Sequence, residues 1–260
     1  MSKTALITGA SGGIGFELAL LFGRDRYDCI LVARSADKLH ALAARLESEF
    51  RVKTLVVAKD LSKPAAVDEI YEEVTAAAMN VDVLVNNAGF TVFGLFTQTD
   101  LDAELEMLQV NVVALTALTK LFLKGMVQRR YGRILNLGST ASFEPGPLMA
   151  VYYASKAYVL SFSEALANEL RGTGVTVTAL APGPTRTGFQ KRGEMEDSRL
   201  VQGQIADAQS VALAGYRGLM AGKTIVIPGF SNKLIPWVVR VSPRTVVTRV
   251  VRRMQERVPH

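Results

Sequence analysis

Short runs of apolar, often β-branched residues alternate along this chain with longer segments in which apolar residues recur at three- and four-residue spacing. The short runs fall at 4–8, 29–33, 54–58, 81–85, 133–137, 175–180 and 224–227 and read as seven strands. The longer segments, including 15–22, 36–50, 64–77, 101–127 and 152–171, carry the helical period. A strand followed by a helix, many times over, needs crossover connections, which make the strands parallel and cover both faces of the sheet. The pattern predicts an α/β, doubly wound fold: a seven-stranded parallel sheet with helices on both faces, in a single domain. No repeat or Pro/Ser-rich linker interrupts it. One long irregular stretch runs from Pro182 to about Asp207. In a compact domain such a stretch is commonly a binding loop, so residues 183–207 are the expected lid.

The last segment has a different pattern. Residues 1–232 read as the doubly wound domain, and 233–260 read as a basic, amphipathic helical extension. Ser242-Pro243 has the chemistry of an N-cap and first helical position. Val246, Val247, Val250, Val251, Met254 and Val258 then fall on one stripe, with Arg249 and Arg252 opposite and Arg253 and Arg257 near its border. The expectation is that this stripe docks on the body or on a second subunit. Peripheral contact with an anionic membrane is the alternative.

Charge sharpens the division. The 260 residues carry a net charge of +6, and from position 233 onward seven basic residues face one acid. The tail therefore holds the whole excess, leaving 23 charges of each sign elsewhere. A neutral body with a basic tail lacks the basic face of a nucleic-acid binder, so no nucleic acid is expected as a partner. The 49% hydrophobic content excludes bulk disorder. A single cysteine, Cys29, excludes an internal disulfide, and two histidines, His40 and His260, leave little for a metal site. The N-terminus enters the first strand without a signal-peptide pattern, which suggests a cytoplasmic protein. The most apolar long segment, 107–127, is interrupted by Gln109, Asn111, Lys120 and Lys124 and gives no clear membrane span.

Directly after the first strand stands Thr8-Gly9-Ala10-Ser11-Gly12-Gly13-Ile14-Gly15, opening a helix. Glycines there let the backbone turn tightly and approach a pyrophosphate, whose charge meets the free amides of the helix N-terminus. The alternative is a plain strand-to-helix turn; the βα context favours a dinucleotide site. An acid ending the second strand would bond both ribose hydroxyls, but this strand ends Val32-Ala33-Arg34-Ser35. A guanidinium suits a 2′-phosphate, which favours NADP(H), and the missing acid counts against a methyltransferase. As a bland alternative, Arg34 is a solvated loop cation.

Taken in order, the motifs resemble the short-chain dehydrogenase/reductase family, in its shorter branch, over roughly residues 4–230. They are the Thr8–Gly15 turn, Asp60-Leu61, Asn86-Asn87-Ala88-Gly89, Asn111, Ser139, Tyr152-Tyr153-Ala154-Ser155-Lys156, and Pro182-Gly183 followed by Thr187. The resemblance implies a Rossmann-type fold and a catalytic tetrad of Asn111, Ser139, Tyr152 and Lys156. Tyr152 and Lys156, four apart on a helix, share one face. A phenol with a pKa near ~10 is a poor acid or base at neutral pH, and a nearby ammonium, with the positive charge of an oxidised nicotinamide, would lower it. Ser139 at a strand end would bond the substrate oxygen. The family also implies that Lys156 holds the nicotinamide ribose and that Asn111 holds a water linking Lys156 to solvent. Taken singly, Asn111 reads equally as a satisfied core amide and Ser139 as a strand-end cap.

The resemblance carries further positions. Gly9, Ser11, Gly13 and Gly15 would hold the phosphates, Ile14 and Val110 would pack on the cofactor, and Asp60 and Leu61 would border the adenine. Asn87 and Gly89 would line the ribose side, and Thr187, after Pro182 and Gly183, would bond the carboxamide. It also implies a homodimer or homotetramer paired through the helices bearing Asn111 and Tyr152. Apolar candidates for the substrate pocket are Phe90, Phe93, Leu95, Phe143, Leu148, Met149, Phe189 and Met195, with Arg186, Lys191 and Arg192 available for an anionic group. Ordinary core packing is the alternative for these aromatics. The chain runs about thirty residues past its last strand, unlike fatty-acid-synthesis ketoacyl reductases. It is more similar to general-purpose bacterial reductases and relatives of long-chain ketoacyl and hydroxysteroid enzymes. The expected function is NADPH-dependent reduction of a hydrophobic ketone or aldehyde, 3-oxoacyl-, steroid- or lipid-like. The rival is an NADP-binding scaffold or regulator without important turnover, which would have no need of Tyr152 with Lys156.

Overall fold

The computed structural model describes residues 2–189 and 205–256. Its strands are β1 (Thr4–Thr8), β2 (Asp28–Ala33), β3 (Thr54–Ala58), β4 (Val81–Asn86), β5 (Gly132–Leu137), β6 (Val175–Leu180), β7 (Thr185–Arg186), β8 (Ala206–Asp207) and β9 (Ile225–Val226). Seven of them form one parallel sheet in the order β3-β2-β1-β4-β5-β6-β9, and β7 pairs with β8 apart from it. Successive side chains of β1 explain why its sequence is apolar throughout. Leu6 enters the core on one face while Ala5 and Ile7 enter the core on the other, all fully buried.

The helices are α1 (Gly13–Arg24), α2 (Ala36–Phe50), α3 (Ala66–Ala76), α4 (Leu101–Leu108), α5 (Leu115–Gln128), α6 (Ala150–Glu169), α7 (Ala208–Met220), α8 (Ile235–Val241) and α9 (Arg244–Gln255). Leu18, Phe22, Leu39, Leu42, Val211 and Leu219 bring α1, α2 and α7 onto one face of the sheet. Ile70, Met107, Leu118, Phe122 and Tyr152 bring α3 to α6 onto the other. A π-helical turn, Gln109–Ala114, joins α4 to α5. The resulting 28-residue helix contains an 18-residue window with a mean hydropathy of 1.5 and meets the length and composition of a membrane span. Met107, Val110, Ala114, Leu118, Phe122 and Met126 on one side of it cover the sheet, however, and its buried Asn111 and Thr119 are hydrogen-bonded within the fold.

Strand order reverses between β1 and β4, which opens a crevice at their carboxyl ends, where open α/β sheets bind ligands. Thr8 ties the two sides together. Its hydroxyl accepts from the Asn87 and Ala88 amides, both at 3.0 Å, and donates to the Val85 carbonyl. Beneath it, Asn86 donates to Asn136 on β5 and to Thr119 on α5, and Asn136 donates to Ser163 on α6. This buried polar chain fixes the helices that carry the site to the strands they cover.

Several boundaries differ from the sequence reading. The last strand keeps two residues rather than four, because only β6 pairs with it and Pro228 follows. Helix α7 begins directly at the end of the irregular stretch, where the Asp207 carboxylate caps it by accepting from the Ser210 amide. Ser242 closes the unanticipated α8, so the N-cap of α9 is Pro243, with an extended ψ of 130°, rather than Ser242. Most of the expected lid, including Met195, Lys191 and Arg192, lies outside the described residues; β7 and β8 are its two ends.

Candidate active site

A cavity of about 640 Å³ runs from the start of α2, across the carboxyl ends of β1 and β4, to the extension. At its nucleotide end, the turn after β1 has a backbone that side chains would obstruct. Gly9 sits at φ +67°, and a Cβ on Gly15 would stand 2.4 Å from the Gly9 carbonyl oxygen. Helix α1 has no side-chain cap, so its first amides are left for an anion. The Asn87 side chain donates to the Thr8 and Gly9 carbonyls, which holds the turn against β4. Arg34 lines the cavity at the end of β2, and so does Lys38, one turn into α2. Lys38 escaped the sequence reading, although its place in the first turn of the helix that follows Arg34 could have revealed it.

Ser11, Gly13, Ile14, Asp60, Leu61, Gly89, Val110, Pro182, Gly183 and Thr187 line the same cavity, as do Ser139, Tyr152 and Lys156. Gly15 and Asn111 do not. Gly15 packs beneath the turn, and Asn111 stands behind Gly89, where a Cβ would lie 3.0 Å from Asn111 Oδ1 and 3.5 Å from Lys156 Nζ. Asn111, in the π-turn, accepts from the Phe90 amide and donates to the Phe90 carbonyl and to Ser155 Oγ. It is therefore a satisfied core amide, placed beside Lys156. Ser139 likewise has two roles. It caps the short helix Thr140–Phe143, accepting from the Ala141 amide, and its hydroxyl, 3.5 Å from the Pro182 carbonyl, stands near enough to Tyr152 to favour the phenolate.

Tyr152 and Lys156 are both buried, and Lys156 Nζ lies 5.7 Å from the Tyr152 ring centre while donating to the Leu137 carbonyl. The spacing argument expects the ammonium to lower the phenol. In the chain itself burial dominates and pushes Tyr152 up to about 12, with the Ser139 hydrogen bond pulling downward. Burial brings Lys156 down to about 8. At neutral pH the arrangement therefore holds a protonated phenol beside a lysine that is still mostly ammonium.

The substrate end differs most from expectation. Of the eight apolar candidates, Met149 and Phe189 line the cavity, and the Phe189 ring packs 5.4 Å from that of Tyr152. Phe90 and Phe93 belong to the hydrophobic core instead, Leu95 is exposed, and Phe143 and Leu148 lie off the cavity wall. Arg186 is exposed on β7 and does not face it. The rest of the wall comes from Glu144, Tyr153, Asn232, Ile235, Met254 and Gln255, none of them anticipated. Burial pushes the Glu144 carboxyl up to about 7. The extension thus docks on the body of its own chain, through Val247 and Val251.

The family model for short chain dehydrogenases matches residues 3–197. The chain belongs to the short-chain dehydrogenase family. Very-long-chain 3-oxoacyl-CoA reductases of Emericella nidulans and Bos taurus are 38% and 33% identical over 66% and 70% of the chain. The chain spans only 51% and 59% of their respective lengths. Among solved structures, a short-chain dehydrogenase from Sphingobium yanoikuyae in complex with NADPH is 34% identical, covers 88% of both chains and superposes with a TM-score of 0.82. The bulky-bulky ketone specific alcohol dehydrogenase from Comamonas testosteroni is 30% identical over 88% of this chain and 86% of that one, with a TM-score of 0.77.

Proposed function

We propose that this short-chain dehydrogenase reduces a hydrophobic ketone or aldehyde at the expense of NADPH. What carries the reading is that Ser139, Tyr152 and Lys156 meet in one cavity with the glycine turn and the Arg34–Lys38 pair. The open turn, the uncapped α1 and two cations at the adenosine end fit a dinucleotide with a 2′-phosphate. When bound, that cofactor supplies hydride to a carbonyl carbon. Ser139 Oγ holds the substrate oxygen and fixes its orientation. Tyr152 Oη gives its proton to that oxygen, a role suited to a phenol that burial keeps protonated. Lys156 stabilises the phenolate left behind, and Asn111 holds the loop after β4 against α6 beside Lys156. The NADPH complex of the Sphingobium relative and the bulky-ketone activity named for the Comamonas relative support the cofactor and the substrate class. So do the apolar side chains of Met149, Phe189, Ile235 and Met254 in the wall of the substrate end.

The test is NADPH consumption over a panel of hydrophobic carbonyls. Tyr152→Phe is expected to lower kcat by about 10²–10⁴-fold; full retention would sink the mechanism. Arg34→Ala should weaken NADPH far more than NADH, and equal effects would refute the phosphate assignment. Tight NADP binding with no turnover across the panel would instead favour a scaffold.

Two surfaces extend the reading. Exposed Leu101 and Leu105 on α4, Val113 in the π-turn that holds Asn111 and Tyr158 on α6 support a homo-oligomer, checked by light scattering. Trp237, Val238, Val241, Val246 and Val250 are exposed on α8 and α9, beside exposed Lys233, Arg240, Arg244, Arg249 and Arg253. Apolar area mixed with cations suits peripheral contact of a cytoplasmic enzyme with an anionic membrane. Sedimentation with anionic but not neutral vesicles, lost in Trp237→Ser/Arg240→Glu, is the expected result.

A further inference from the structure

The chain between Ser139 and Tyr152 brings one acid to the cavity. Ser139 opens the short helix Thr140–Phe143 and its amide donates to the Ser142 hydroxyl, while Glu144 ends that helix in an extended conformation. Pro145 follows, which favours extended backbone at the residue before it. Gly146 then packs so closely on the Tyr153 ring that no Cβ would fit. Glu144 is thus held on a stretch pinned at both ends, in fixed relation to Ser139, and lines the cavity with it.

What sets this carboxyl apart is the lack of a counterpart. Glu144 makes no hydrogen bond or ion pair among the described residues, and burial alone pushes it up to about 7, with no neighbouring charge bearing on it. The cations of the cavity are engaged elsewhere: Arg34 and Lys38 stand at the nucleotide end, Lys59 pairs with Glu69 and Glu73, and Lys156 donates to the Leu137 carbonyl. Nor is Glu144 sealed in the core, as Oε2 of Glu104 is; it is partly exposed. A half-buried carboxylate without a partner costs stability, and groups perturbed in this way concentrate where a ligand supplies what is missing.

We propose that Glu144 is a specificity-determining residue that selects the ketone by charge: its carboxylate pairs with an ammonium group carried apart from the reacting carbonyl, and it repels substrates with a carboxylate there. The substrate is accordingly an amino ketone with an apolar body. The capped turn between Ser139 and Glu144 sets how far the cation lies from the carbonyl oxygen. The inference rests on the cavity being the ketone site, so its test reads binding rather than turnover.

The probes are methyl ketones ending in a dimethylammonium, an isopropyl or a carboxylate group, matched in length and taken over a series of chain lengths. Affinity for the NADP-loaded protein is measured by calorimetry. At the best length the ammonium compound is expected to bind about tenfold more tightly than its isopropyl counterpart, and the carboxylate more weakly than either. In Glu144→Gln, which keeps the shape and loses the charge, that preference should disappear, and in Glu144→Lys the carboxylate should become the preferred probe. Two results overturn the proposal: no chain length at which the wild type prefers the ammonium, or a preference that Glu144→Gln keeps. Loss of turnover with the preference intact would count against the catalytic reading alone.

Discussion

The two ends of the cavity are built by different means. At the nucleotide end the main chain defines the space: Gly9 in the left-handed region, Gly15 against a carbonyl, and Thr8 and Asn87 clasping two strand ends. At the substrate end side chains define it, and they come from three stretches far apart in sequence: Glu144 and Met149, Phe189, and Ile235 to Gln255. A main-chain site tolerates almost no variation at its glycines. A side-chain wall can be rebuilt by substitution without disturbing the sheet. Recognition of a shared cofactor and of a particular substrate are in this way kept in separate parts of the fold.

The largest expected effect comes from breaking the main-chain end. Gly15→Val places a side chain where even a Cβ would meet the Gly9 oxygen at 2.4 Å. The turn must shift, at a cost of about 1–3 kcal/mol of stability. NADPH affinity should fall by about 100-fold on the same scale; calorimetry giving wild-type affinity would contradict the close-approach account. A smaller effect is expected at Lys38. Removing it as Lys38→Ala should weaken NADPH by about tenfold and leave NADH nearly unaffected, the difference being one charge-assisted contact to a phosphate.

At the side-chain end, Val251→Ala should cost about 1–2 kcal/mol in thermal or urea unfolding. It should also raise KM for the ketone, through the shifted wall, while NADPH affinity holds. A parallel loss of NADPH affinity would show that the two ends are not separable. The smallest effect concerns Glu144, whose carboxyl burial pushes up to about 7 from an ordinary 4.5. The folded state thus resists its ionisation. That penalty is absent below about pH 4.5, grows as pH rises and is complete above about pH 7. Glu144→Gln should therefore stabilise the protein at about pH 8, by about 1 kcal/mol once solvent screening is allowed for, with the gain vanishing toward about pH 4. A pH-independent change in Tm would refute the assignment.

The same division decides what could be read from the sequence. The glycine turn, the Asn86–Gly89 run and the Tyr152–Lys156 pair are local patterns whose geometry follows from the strand or helix that holds them. Helix 36–50 is found at its expected limits for the same reason, its buried Leu39, Leu42, Ala43 and Leu46 following the helical period. The substrate wall depends on how distant segments pack. Aromatic residues near the motifs, such as Phe90 and Phe93, were drawn into the core by the same apolarity that made them pocket candidates. Gln255 lay hidden because an amide among valines and arginines reads as part of a polar face, when it continues the buried row of Val247 and Val251. Tyr152 shows the limit for electrostatics: the spacing to Lys156 was legible, but the degree of burial that outweighs it was not.

Helix α6 concentrates these connections into five consecutive residues. Tyr152 faces the cavity, Tyr153 meets α9, Ser155 meets Asn111 and Lys156 meets the end of β5. For protein engineering this means that the extension is not an exchangeable cassette. A library that randomises or swaps it to change substrate range should co-vary position 153, because a new tail that pulls on that phenol also pulls on its neighbour in the chain.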